Sequence, residues 1–205
     1  MITDYKTLDL QSCDILLCSG NSKMSKRIQW FQDIQGYTPD ECAISHVAGV
    51  YKTVDGRLQA QESTTLNKWA DKAGVQMNDM EMWLPNYDGD VWVRKLDFDR
   101  TPEFKQSDRE FWIKHRFDPY EHGIMGYAEL VLCGLRLDRY VRKLFPNYQP
   151  LRTKSPHCTE LVSMRLKLHK LIKFNVLHNR LPPAFWWQGI DTLFNCPIGK
   201  PIRIK

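Results

Sequence analysis

The most constraining feature of the chain is a pair of β-like runs that meet at Asp55-Gly56. On one side stands Ser45-His46-Val47-Ala48-Gly49-Val50-Tyr51, on the other Leu58-Gln59-Ala60-Gln61-Glu62-Ser63. An Asp-Gly step between two such runs is a hairpin signal, because glycine reaches the left-handed backbone region that tight turns require. The turn type then fixes which side chains face each other. A three-residue loop, Val54-Asp55-Gly56, with glycine in the left-handed bulge position, pairs Thr53 with Arg57 and Ala48 with Glu62. Side chains alternate along a strand, so His46 and Ala48 share a face, and Glu62 falls diagonal to His46 within hydrogen-bonding reach. A two-residue loop would instead pair Gly49 with Glu62 and send the carboxylate to the other face. In that case Glu62 is simply an exposed hairpin acid.

Around this hairpin the chain reads as strands followed by helices. Cys13-Asp14-Ile15-Leu16-Leu17-Cys18 is a short apolar run ended by Ser19-Gly20-Asn21-Ser22, a buried strand leading through a turn into a helix. Residues 22 to 35 carry Met24, Ile28 and Phe31 at helical spacing. Val91 to Leu96 reads as a further strand. Thr101-Pro102-Glu103 opens a helix over 101–115, threonine being a good N-cap and proline suiting the first turn. A helix is predicted over 123–144. Another begins at Ser155-Pro156-His157-Cys158 and runs to about Lys173. The tail holds the aromatic cluster Phe185-Trp186-Trp187, expected to sit in the core beside its prolines, and a short strand at Ile202-Arg203-Ile204. The class expected is α+β, an antiparallel sheet packed against helices, in a single domain over 1–205.

Composition limits what such a domain can do. No stretch approaches eighteen uncharged apolar residues, so no transmembrane helix is expected. The start, Met1-Ile2-Thr3-Asp4-Tyr5-Lys6, lacks the basic and apolar regions of a secretory signal, so synthesis is expected to end in the cytoplasm. The formal charge of +5 hides a partition. Residues 139–205 hold 13 Lys+Arg and two acids, a net of +11, whereas residues 1–138 hold 16 bases and 22 acids, a net of −6. The basic third suits an anionic wall polymer or a phospholipid surface, or else pairs with acids elsewhere in the domain. Nucleic acid is disfavoured, since the aromatics that would stack on bases are expected in the core.

Six cysteines raise the questions of disulfides and metals. A long chain without a CxxC pair points away from a disulfide scaffold and from a zinc ribbon, and no metal or cofactor is expected. Most thiols should be small buried hydrophobes. Cys158 differs. In the first turn of a helix, unpaired N–H groups and the positive dipole end favour a thiolate. The alternative is a structural cysteine on the core side of the helix.

A cysteine nucleophile needs a base and a group to orient that base. His46, at the start of a strand, is a fixed directional group, and Glu62 can hold it. His157 neighbours Cys158, but adjacent helical side chains point about 100° apart. His169 and His178 lie on a Lys/Arg-rich stretch and read as solvated. His115 and His122 flank a helix break.

Several of these segments together resemble a known family. They are Asp14-Ile15-Leu16-Leu17, Gly20-Asn21-Ser22-Lys23-Met24-Ser25-Lys26, Ser45 through Tyr51, Gln61-Glu62-Ser63 and Pro156-His157-Cys158-Thr159-Glu160-Leu161-Val162. Their order resembles the circularly permuted branch of the NlpC-like papain superfamily, the YiiX-like proteins, in which the histidine strand precedes the cysteine helix. The resemblance covers residues 12–63 and 154–163. It implies a permuted papain-like fold, a thiol hydrolase acting on cell-wall peptide amides or lipid acyl groups, and a triad of Cys158 as nucleophile, His46 as base and Glu62 as third member. An acyltransferase would use the same trio, and a non-catalytic lipid-, glycan- or nucleic-acid-binding module could keep the same fold. A wall-cleaving enzyme without a signal would need another route to the wall, such as a phage lysis system. Where the family usually carries glycine before the Asp-Ile strand, this chain has Cys13.

Overall fold

The computed structural model describes residues 1–64, 73–119, 157–173, 181–187 and 191–205. The predicted helix over 123–144, Ser155, Pro156, His122, His178 and Cys133 lie outside them.

Among the described residues the architecture is α+β, built on one antiparallel sheet. Its strands are β1 (Ile15–Gly20), β2 (His46–Lys52), β3 (Leu58–Thr64), β4 (Gly74–Asp79), β5 (Gly89–Arg94) and β6 (Ile202–Arg203), in the order β4-β3-β2-β1-β5-β6. Five helices accompany it: α1 (Lys23–Ile34), α2 (Pro39–Cys42), α3 (Met80–Asn86), α4 (Pro102–His115) and α5 (Cys158–Leu168). No helix of the described residues is long and apolar enough to cross a membrane.

The hairpin takes the three-residue form. Thr53 N–H donates to the Arg57 carbonyl at 2.9 Å, and Gly56 sits at φ 83°. The register runs Gly49↔Gln61, Val50↔Ala60, Tyr51↔Gln59 and Lys52↔Leu58. That register continues to Ala48 opposite Glu62, so His46 and Glu62 share a face.

Both faces of the sheet are covered, which is why β1 and β2 read as nearly unbroken apolar runs. On one face Ile15, Leu17 and Val47 meet Val162 and Leu166 of α5, with Trp186 and Phe194 completing the layer. On the other, Leu16, Cys18, Ala48, Val50 and Ala60 meet Met80, Trp83 and Leu84 of α3. The aromatic tail cluster thus places Trp186 fully in the core, as expected, whereas Phe185 and Trp187 are only partly covered. Cys13, Cys18 and Cys42 are buried as small hydrophobes.

Local signals explain most boundaries. The Ser22 hydroxyl accepts from Ser25 N–H at 3.0 Å to cap α1. Thr101 accepts from Phe104 N–H, and Pro102 takes the first helical position of α4.

Three readings are corrected. The cysteine helix starts at Cys158 with His157 as N-cap, where a start at Ser155-Pro156 was expected. The same helix ends at Leu168 and does not continue to Lys173. Lys170 adopts φ 55°, Leu171 N–H reaches back to the Leu166 carbonyl, and Lys170 N–H reaches the Lys167 carbonyl. That is a Schellman stop, and the apolar Leu171 that mimicked a further helical turn is its hydrophobic contact with Leu166. Third, β4 and α3 were not foreseen, because Gly-Val-Gln-Met-Asn-Asp alternates too weakly and α3 is short and contains Pro85.

Candidate active site

The sheet presents His46 at the first residue of β2, next to the N-terminus of α5. His46 Nε2 donates to Glu62 Oε2 at 2.8 Å. Its side chain is 14% exposed and that of Glu62 3%. The second carboxylate oxygen, Oε1, accepts from Asn78 Nδ2 and from Trp83 Nε1, each at 2.9 Å. Glu62 is therefore held by three donors from β2, β4 and α3 and cannot rotate away from the imidazole. A buried carboxylate so satisfied is tolerable, whereas an unpaired one would cost several kcal/mol.

With Nε2 committed to Glu62, Nδ1 is the ring nitrogen left for Cys158. The Cys158 thiol and the His46 imidazole hydrogen bond to each other. Burial pushes the thiol's pKa up. The His46 charge and hydrogen bond, together with backbone N–H groups of Val47 and Thr159 on the sulfur, pull it down, and the net shift is downward. His46 moves the opposite way. Burial opposes its protonation, but the Cys158 sulfur and the Glu62 carboxylate outweigh burial and raise its pKa. A thiolate–imidazolium pair is the form this environment favours.

Tyr87 borders the site. Its ring lies 5.2 Å from that of Trp83, and its hydroxyl shares a hydrogen bond with buried Cys18. Burial holds the phenol protonated. Asn78, Trp83 and Tyr87 were not anticipated. They sit on or after the unforeseen β4–α3 segment, and no local motif marks them.

The remaining histidines fall elsewhere. His115 Nδ1 pairs with Asp118 at 2.8 Å, and His157 caps α5. The side chain of His169, expected in solvent, is only 6% exposed, with its Nε2 3.4 Å from Asp108 Oδ1 and its ring 4.3 Å from that of Phe104. The Schellman stop turns it inward.

A second cluster lies beside the C-terminal end of α5. Cys13, Asp108 and His169 bring ligand-type atoms within 4.8 Å of one another. Arg165, however, spans both oxygens of Asp108 at 2.7 Å through Nε and Nη2, and its Nη1 donates to the Val50 carbonyl at 2.9 Å. Burial pushes the Cys13 thiol up to about 12. A divalent cation here would have to displace a bidentate guanidinium and deprotonate a desolvated thiol, so the donor set fits arginine rather than a metal. Gly49 makes room for that guanidinium: a Cβ there would stand 2.7 Å from Arg165 Nη1.

No family model matches the chain, and a search of curated proteins returns no match. Among solved structures it is similar to the metalloprotein YiiX of Escherichia coli O157:H7, at 14% identity and a TM-score of 0.49. That alignment covers 94% of this chain and 88% of the other.

Proposed function

We propose that the chain is a papain-like thiol hydrolase that cleaves an amide or ester bond, with Cys158 as nucleophile, His46 as general base and acid, and Glu62 as the group that orients His46. The observation that carries this reading is the position of His46, bonded through one ring nitrogen to a fixed carboxylate and through the other to a thiol whose pKa is lowered. The order of the elements, histidine strand before cysteine helix, supports a permuted papain-like arrangement.

The Cys158 sulfur would attack the scissile carbonyl carbon, forming a C–S bond and a tetrahedral oxyanion. The Cys158 backbone N–H and the positive end of the α5 dipole would stabilise that charge. As the carbonyl re-forms, His46 gives its proton to the departing amine or alkoxide. Neutral His46 then takes a proton from water, which attacks the thioester and releases the acid and the thiolate. Glu62 holds the tautomer and stabilises the imidazolium throughout.

Iodoacetamide tests the reading without a known substrate. Near pH 6, Cys158 should be carboxamidomethylated at least about a hundredfold faster than any other cysteine, as peptide mapping would show. Equal and slow labelling of all the thiols would favour a non-catalytic binding module.

A further inference from the structure

The outer face of α1 is the most unusual surface among the described residues. At about 100° per residue, Lys26, Trp30, Lys23, Ile34 and Arg27 fall within about 100° of arc, with Asp33 at its edge. All five are exposed, Trp30 at 65% and Ile34 at 48%. The opposite face carries Phe31 and Gln32 into the protein. Two large apolar side chains in solvent, flanked by three cations, are not what a helix packed only on its own domain needs. Among the described residues no acid forms an ion pair with Lys23, Lys26 or Arg27.

The helix is also tied to the candidate site. Gln29 Nε2 donates to the Ala43 carbonyl at 2.8 Å, and Gln32 Nε2 donates to the Cys42 and Ile44 carbonyls, on the segment that leads into His46. At its N-terminal end, a Cβ on Gly20 would meet Ser25 Oγ and the Tyr87 hydroxyl, so the helix start adjoins the Tyr87 corner.

We infer that this face docks the protein on an anionic phospholipid bilayer, with Trp30 and Ile34 entering the headgroup–acyl boundary and Lys23, Lys26 and Arg27 meeting the lipid phosphates. Indole favours that boundary, having an apolar body and one polar N–H. Cations beside an inserted apolar stripe are the pattern of helices that lie in a membrane surface. The docking stands apart from the thiol chemistry, since it needs no reaction. That the bond cleaved is a lipid acyl bond at this surface rests on the hydrolase reading above.

The test is co-sedimentation of the full chain with phosphatidylcholine vesicles, with and without about one-third phosphatidylserine. Binding should require phosphatidylserine and weaken with salt. Trp30→Ala should weaken it about tenfold. Lys23→Gln, Lys26→Gln and Arg27→Gln together should weaken it about a hundredfold, roughly fivefold per cation. Ile113→Ser, at an exposed apolar position on α4, should leave binding unchanged. These positions are exposed, so circular dichroism should show all variants folded. Cys158→Ala should bind as the wild type does, which keeps failure of docking distinct from failure of the triad. Equal binding by Trp30→Ala, or binding abolished by a soluble polyanion but indifferent to Trp30, would overturn the inference. So would a dimer in solution that Trp30→Ala dissolves.

Discussion

Two clusters in this molecule contain the same three residue types and treat them in opposite ways. Cys158, His46 and Glu62 meet where the start of β2 adjoins the first residue of α5, and Cys13, His169 and Asp108 meet beside the other end of α5. In the first, the imidazole bridges thiol and carboxylate, and the thiol's pKa falls. In the second, Arg165 takes both oxygens of the carboxylate, burial outweighs the nearby charges on the thiol, and its pKa climbs to about 12. Composition does not distinguish the two trios. What distinguishes them is whether a histidine stands between the sulfur and the acid, and whether a permanent cation has already claimed that acid. One helix carries both outcomes, with Cys158 at its first residue and Arg165 two turns later.

The comparison breaks first at the sulfurs. If the proposed hydrolase reading holds, Cys158→Ala should lower hydrolysis by about 10⁴-fold or more, the loss typical when a triad nucleophile is removed. Cys13→Ala should leave the rate within about twofold, since a protonated buried thiol does no chemistry. Turnover of a wall-peptide or acyl substrate, with folding checked by circular dichroism, reads both. Comparable losses at the two positions would mean that both clusters work, or that neither does.

Stability should reverse the ranking. Asp108→Ala leaves a guanidinium buried without its partner and should cost about 3–5 kcal/mol in urea unfolding. Glu62→Gln keeps an oxygen for Asn78 and Trp83 and should cost less than about 2 kcal/mol. It should nevertheless slow iodoacetamide labelling of Cys158, because the imidazole loses the carboxylate that sets its tautomer.

The labelling pH profile separates the clusters again. Thiolate forms as pH rises through the thiol pKa. Cys158, with its value lowered, should therefore label below the pH at which an ordinary thiol ionises, and Cys13 should stay silent through the accessible range. For hydrolysis the imidazolium must also keep its proton, so the rate should fall as pH passes the raised value of His46, giving a bell. His46→Gln removes the charge that opposes desolvation. Burial then dominates, and the labelling onset of Cys158 should move to higher pH, at about tenfold less thiolate per unit.

How far the sequence reached follows from where its signals were local. The Asp-Gly turn allows two registers, and the three-residue form that the structure adopts puts Glu62 on the face of His46. That placement needs only strand alternation and one glycine at positive φ. Cys158 was marked as a helix start even though the cap is His157 and not Ser155. The rest depends on contacts that no local pattern encodes. Asn78 and Trp83 reach Glu62 across 16 and 21 residues. His169 reads as part of a solvated basic stretch, because nothing near it in sequence announces Asp108, which lies 57 residues upstream of its neighbour Arg165. Of the two readings of the basic last third, Arg165 follows the second, pairing with an acid elsewhere in the domain.

The smallest expected effect sharpens the comparison most. Cys13 has a φ of 73°, in the region that residues with a Cβ enter at a cost of about 1 kcal/mol. Cys13→Gly would relieve that cost. It would also restore backbone freedom to the unfolded chain, unfavourable by about 0.4–1 kcal/mol, and give up the burial of one thiomethyl group. These contributions oppose one another, so the unfolding free energy should change by less than about 1 kcal/mol, and Cys158 labelling should not change. A large loss of labelling would tie Cys13 to the reactive cluster through the Arg165 network. An unchanged rate with an unchanged midpoint would leave Cys13 as a side chain that fills a glycine's place, and would show that a cysteine, a histidine and an acid within 4.8 Å are not by themselves a site.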